Sequence, residues 1–197
     1  MTSTTSDALL PPRVRVRGAT NENPRDISFM ELVREDWRTH DRSAVQPGFW
    51  ALLVHRFGNR RMGIKTRALR APLTVLYNVL YVAVQWLWGI DVGYTVKLGR
   101  RVRIWHHGGI VIGARSIGDD VHIRQNTTLG ILDRAHQDGK PTVGHRVDIG
   151  AGACILGDDT VGDDVVIGAN SVVVKDAPAG SVLFGVPARP VKLLRQT

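Results

Sequence analysis

An aliphatic residue at every sixth position, held over six consecutive repeats, is the feature that most narrows what this chain can fold into. From Val143 the series runs Val143, Ile149, Ile155, Val161, Ile167, Val173. The same spacing appears earlier as Leu98, Ile104, Ile110 and as Ile117, Ile123, Leu129, with one extra residue between the two triplets. Fourteen positions separate Leu129 from Val143, two more than two full repeats, and that interval holds the polar stretch from Asp133 to Lys140. A helix would repeat every ~3.6 residues, and the strands of a sandwich would alternate with turns every ~8–12. A period of six fits short parallel strands wound as coils of a β-helix, with each aliphatic stacked on its equivalents one coil above and below. Glycine often follows the aliphatic, as Gly144, Gly150, Gly162 and Gly168, which suits corners with unusual dihedrals or no room for a Cβ. Two positions before the next aliphatic stand Val147, Ala153, Val165 and Ser171, small or β-branched, with Asp159 the exception.

Composition divides the chain where the repeats begin. Of 21 glycines only Gly18, Gly48, Gly58 and Gly63 precede residue 80, whereas Trp37, Trp50, Trp86 and Trp88 all precede the repeats. Residues 1–26 are expected to form a disordered basic tail, 27–88 a helical domain, 89–190 the β-helix with a loop at 130–142, and 191–197 a C-terminal tail. The expected fold class is therefore α+β, an N-terminal α-helical domain followed by a parallel β-helix. In the helical part Ile27, Met30, Leu32 and Val33 make a short apolar face after Asp26, a suitable N-cap. Pro47-Gly48 precedes a second helix with Phe49, Leu52, Leu53, Arg56 and Phe57 at helical spacing.

A third apolar segment, Ala71 to Ile90, runs for twenty residues without a formal charge, after Arg60, Arg61, Lys65, Arg67 and Arg70. Its length would suit a membrane span. Pro72, Thr74, Asn78 and Gln85 interrupt it, so the preferred reading is a buried interface helix, with loose attachment to a membrane surface second. The lone Cys154, flanked by Ala153 and Ile155, reads as a small buried filler and points to a reducing compartment. No apolar signal region follows Met1, so a cytoplasmic protein, at most at the inner membrane surface, is expected. Lys plus Arg is 26 against 18 Asp plus Glu, a formal net charge of +8. The basic residues gather in the tail and helices without interleaved aromatics, so nucleic acid is not an expected partner.

The motifs then add a resemblance. Asp91, the run His106-His107-Gly108-Gly109-Ile110-Val111-Ile112-Gly113, Gln125-Asn126-Thr127-Thr128-Leu129-Gly130, Ile149-Gly150-Ala151-Gly152-Ala153 and Gly185-Val186-Pro187-Ala188-Arg189 occur in one order. In that order, over about residues 30–194, the chain resembles the serine acetyltransferase family of the hexapeptide-repeat acyltransferases. The resemblance implies a left-handed β-helix, a homotrimer or dimer of trimers, and acetyl-CoA as co-substrate, with no metal. It implies His106 as general base and Asp91 as the carboxylate that orients it. The chemistry is consistent: a hydroxyl nucleophile needs a base that titrates near neutrality, a carboxylate fixes its tautomer, and backbone N–H groups can receive the thioester oxyanion. By the same match Gly150, Ala151, Gly168 and Ala169 line the coenzyme groove, and Lys175, Arg189 and Lys192 are candidates for its phosphates. His107 is taken as secondary, pointing away from His106 if its strand is extended.

The departures concern the acceptor. Family members that acetylate serine carry an aspartate where this chain has Trp105, and a histidine where it has Lys140 before Pro141. His136 in the same loop is a possible substitute, and the helical-domain carboxylate that grips the amino acid is Asp41 or, less well, Asp36. An indole at Trp105 suits a sugar ring, so O-acetylation of a saccharide is the alternative to serine O-acetylation. A γ-type carbonic anhydrase shares the fold but would need three zinc histidines, and the pattern of His106, His107 and His122 is not that family's. A non-catalytic scaffold is the remaining reading.

Overall fold

The computed structural model describes residues 20–133 and 138–191. Three helices, α1 (Phe29–Thr39), α2 (Pro47–Arg61) and α3 (Arg67–Trp88), precede fifteen short strands. Ser28, not Asp26, caps α1: its side chain accepts from the Glu31 N–H and the Glu31 carboxylate accepts from the Ser28 N–H. This reciprocal pair satisfies two otherwise unpaired donors. Asp26 instead accepts from Arg100 Nη1 at 2.6 Å. Met30 is exposed, and α1 turns Leu32 and Asp36 inward. Pro47 begins α2 rather than breaking before it, at a position where a missing N–H costs nothing. Residues 20–26 are not all tail: Asn23 is buried and its Nδ2 donates to Arg56 O at 2.9 Å. Residues 1–19 lie outside the described residues.

Beyond α3 the strands stack in parallel on three faces. The first face holds β1 (Ile90–Val92), β4 (Ile110–Ile112), β7 (Thr128–Gly130), β10 (Cys154–Leu156) and β13 (Val172–Val173). The second holds β2 (Lys97–Leu98), β5 (Ser116–Ile117), β8 (Thr142–Val143) and β11 (Thr160–Val161). The third holds β3 (Arg103–Ile104), β6 (His122–Ile123), β9 (Asp148–Ile149), β12 (Val166–Ile167) and β14 (Val182–Phe184), closed by an antiparallel β15 (Arg189–Pro190). Register makes three interior columns. They are Val92–Ile112–Leu129–Ile155–Val173, Leu98–Ile117–Val143–Val161 and Ile104–Ile123–Ile149–Ile167–Leu183. All of these side chains are buried.

One register differs from the sequence reading. Leu129 pairs with Ile112 rather than Ile110, so the step along the chain from Ile104 on the third face to the next interior position on the first face is eight residues, not six. The surplus lies in the corner between β3 and β4, which carries His106 and His107. Neither histidine is in a strand, so strand alternation does not set their directions. Cys154 is half-buried on the outer side of β10, because Ala153 and Ile155 take the interior positions.

At the corner between the second and third faces the left-handed backbone position falls mostly on charged residues rather than on glycine. Arg101, Asp120, Arg146 and Asp164 there have φ of 53°, 58°, 55° and 58°. Arg101 Nε donates to Asp120 Oδ1 at 2.6 Å and Arg146 Nε to Asp164 Oδ1 at 2.7 Å. These hydrogen bonds hold the Asp120 and Asp164 carboxyls below the usual carboxylate range.

The helices close the first coil through buried polar contacts. Arg56 Nε meets Asp36 Oδ2 at 3.0 Å, while Nη1 and Nη2 donate to Leu98 O at 2.8 Å and Gly99 O at 2.6 Å. His55 Nε2 donates to Val96 O at 2.9 Å and Asn59 Nδ2 to Tyr94 O at 2.7 Å. His40 Nδ1 donates to Asp36 O at 2.8 Å, so its Nε2 is free to accept from the Ile104 N–H at 3.2 Å.

Candidate active site

The corner between the third and first faces gathers much of what the sequence singled out. Coil by coil it carries residues 106–109, then Gln125-Asn126, then Gly150-Ala151-Gly152, then Gly168-Ala169-Asn170. Backbone bonds link the layers: Asn126 N–H to Gly108 O at 2.9 Å, Gly152 N–H to Gln125 O at 2.9 Å, and Asn170 N–H to Ala151 O at 2.8 Å. His106 and the candidate coenzyme-lining residues Gly150, Ala151, Gly168 and Ala169 therefore share one edge of the prism. A Cβ on Gly150 would sit 2.5 Å from Ala169 N, so the coil spacing itself excludes a side chain there. Gly168 is covered by the Phe184 ring, a neighbour that the sequence did not signal.

Asp91 reaches this edge from the other direction. Gly89, at φ +61°, ends α3 and turns the chain into β1. Gly108 N–H donates to Trp88 O at 2.8 Å and Ile110 N–H to Gly89 O at 3.0 Å. These bonds lash the histidine corner to the end of α3, close to Asp91, whose backbone partner in the sheet is Val111. The Tyr81 hydroxyl on α3 donates to Asp91 Oδ1. Burial, followed by that hydrogen bond, pushes the Tyr81 hydroxyl above its ordinary value, so it stays a donor. Tyr81 lies ten residues before Asp91 and carries no motif, so sequence spacing gave no signal for it. His106 and His107 are exposed, and among the described residues neither bonds to Asp91.

The acceptor candidates separate. Asp36 is fully buried against Arg56 and faces no solvent, which removes it as an acceptor ligand. Asp41 is exposed, and its carboxylate is held below the usual range by hydrogen bonds from Arg103. The Arg103 guanidinium also lies over the Trp105 ring, 3.8 Å from its centroid, and His122 meets that ring edge-on at 5.6 Å. One indole face is thus occupied by a cation that the sequence reading did not include. Lys140 is half-buried in the loop that leaves the first face at its far edge, and the structure does not bring it to His106 within the chain. His136 and Lys192 lie outside the described residues.

Lys175 and Arg189 line one cavity of about 440 Å³ with Val173, Asp176, Pro178 and Ala188. The cavity lies at the C-terminal end of the coil: Arg189 pairs with Phe184 on the third face and the Ala188 N–H donates to Val172 O at 2.7 Å, while Lys175 follows β13 into the corner between the first and second faces. Among the described residues no group of three or more His, Cys, Asp or Glu is gathered to hold a metal ion, and His106, His107 and His122 do not form one.

No protein-family model matches the chain. It is 39% identical over 176 residues to the serine acetyltransferase of Helicobacter pylori strain J99, covering 84% of this chain and 96% of that protein. It is 45% identical over 177 residues to the serine acetyltransferase of Mycobacterium tuberculosis strain H37Rv, covering 89% of this chain and 70% of the relative. Among solved structures, the soybean serine acetyltransferase apoenzyme superposes with a TM-score of 0.70 at 28% identity, over 83% of this chain and 69% of that one. The serine acetyltransferase of Brucella abortus strain S19 does so with 0.69 at 26% identity, over 89% and 81%. Sequence likeness over nearly the whole of the first relative, with helices before a left-handed coil of parallel strands, makes this chain an acyltransferase that belongs to the serine acetyltransferase family of hexapeptide-repeat proteins.

Proposed function

We propose that the protein is an acetyl-CoA-dependent serine O-acetyltransferase in which His106 is the general base. The observation that carries this reading is the alignment of His106, Gly150, Ala151, Gly168 and Ala169 along one edge, with Asp91 tied to its first layer. His106 takes the proton of the serine hydroxyl as that oxygen bonds to the thioester carbonyl carbon. Backbone N–H groups of the corner receive the oxyanion. The carbon–sulfur bond then breaks, and the imidazolium returns its proton to the departing thiolate. Asp91 orients His106 in the acceptor complex and favours its cationic form, while Tyr81 fixes the carboxylate. No acyl-enzyme is formed, so Cys154 has no covalent role.

A free amino acid presents an ammonium and a carboxylate side by side. Asp41 and Arg103 supply the matching charges, and serine binding would replace their mutual pair with two pairs to the substrate. Lys175 and Arg189 receive the coenzyme phosphates. Because Lys140 belongs to the other edge of the first face, it would reach acceptor only from a neighbouring copy. This supports a homotrimer or a dimer of trimers as the working form.

The test is thiol release from acetyl-CoA with serine and, separately, with saccharide acceptors. Serine-dependent release supports the reading; release with saccharides alone replaces it with a saccharide O-acetyltransferase using the same base and donor.

A further inference from the structure

Among the described residues nothing covers the outward side of α3. The helix spans 22 residues, about 33 Å at ~1.5 Å per residue, and only Tyr77 and Val84 are buried. Tyr81 and Trp88 join them on the side turned to α2 and β1. The opposite side carries Leu69, Leu76, Val79, Leu80, Trp86 and Leu87, all exposed, with Trp86 at 85%. They recur at helical spacing and form one continuous strip. Such a surface on a single helix marks an interaction site.

Charge decides what fits it. The helix contains no acidic residue, and its first turn carries cations where the macrodipole favours anions. Lys65 and Arg67, at this end, are exposed and have no acidic partner among the described residues. Arg60 and Arg61 differ, lying over the Phe29 ring and the Tyr77 and Tyr94 rings as part of the packing. A second copy of this helix would offer Lys65 and Arg67 only more cations. An anionic lipid surface offers apolar depth to the strip and phosphates to the cations. Spanning is excluded because the inner side of α3 is packed on the domain and holds Asp91 through Tyr81.

We propose that α3 lies flat on an anionic bilayer surface, its leucine strip in the acyl boundary and Lys65 and Arg67 among the headgroups. Since α3 runs through Gly89 into Asp91, the histidine corner then stands beside the membrane. The inference does not depend on which acceptor is acetylated.

Flotation of the full chain with phosphatidylcholine vesicles, with and without phosphatidylglycerol, tests it. The protein is expected to float with the anionic vesicles and to be released by high salt, and Trp86 emission to shift to the blue. Lys65→Ala with Arg67→Ala touches no packed side chain and should weaken binding on the order of 30-fold. Leu76→Glu with Leu80→Glu should abolish it, with far-UV circular dichroism and molar mass unchanged. Trp86→Phe should remove the blue shift but not the flotation. Absence of flotation on anionic vesicles overturns the proposal. So does a fall in molar mass in the Leu76→Glu, Leu80→Glu protein, which would assign the strip to a contact between copies.

Discussion

Among the described residues Asp91 receives one side-chain hydrogen bond, from Tyr81, and its other oxygen is open to the imidazole that the proposed mechanism places there. His106→Ala is therefore expected to lower serine-dependent thiol release by roughly 10²–10⁴-fold, the usual reach of a general base, with the oligomer unchanged. Near-normal turnover would remove His106 from the mechanism. Asp91→Asn should slow the reaction markedly with little effect on thermal stability. Tyr81→Phe should do so more mildly, and an Asp91→Asn rate equal to wild type would refute the orienting role. A second residue-scale expectation concerns pH. Burial, followed by the charge on Arg56, pulls His55 down to about 3, and burial also lowers His40 despite Asp36. Both histidines are held neutral in the fold, whereas in the unfolded chain they bind protons below about 6.5. Protons thus favour the unfolded state, so stability is full above that pH and falls as pH drops toward 5. Urea midpoints at pH 7.5 and 5.5 check this, and a midpoint that rises on acidification contradicts it.

At the scale of elements, the strands are two or three residues long, and their stability comes from stacking rather than from any one strand. Ile149 sits mid-column between Ile123 and Ile167 and is fully buried. Ile149→Ala is expected to cost about 2–5 kcal/mol, read from the shift in denaturant midpoint. Gly150→Ala forces a Cβ against the backbone of the next coil and should destabilise the edge even though the added volume is small. The columns were legible because a six-residue period leaves each interior aliphatic in register with the next. The surplus at the histidine corner shifts the register by two residues: Ile110 is also aliphatic and buried, so periodicity alone does not distinguish it from Ile112. The cap of α1 is ambiguous in sequence for a similar reason, since Asp26 and Ser28 are both good cap residues and only the contact to Glu31 separates them.

At the scale of the molecule, Arg56 ties α1, α2 and the first coil together through Asp36, Leu98 and Gly99. Arg56→Ala leaves a buried carboxylate and two carbonyls without their donor. It should cost about 3–5 kcal/mol and uncouple helical from coil unfolding, detectable as separate transitions by circular dichroism and Trp fluorescence. A single unshifted transition would show that the clamp does not join the two parts.

Sequence alone determined the architecture of this protein, because a repeat must satisfy the same packing at every coil and so writes its geometry into a period. The family resemblance of its ordered motifs also singles out His106, Asp91 and the alanine and glycine corner as the proposed site. The tertiary structure decided what depends on contacts between distant segments. Tyr81 from α3 meets Asp91, and Arg103 stands between Asp41 and Trp105. Asp36 is lost to a buried pair, and no described residue covers one apolar side of α3. Hydropathy reports how apolar a helix is, whereas only the packing of its other side shows which face remains for a partner.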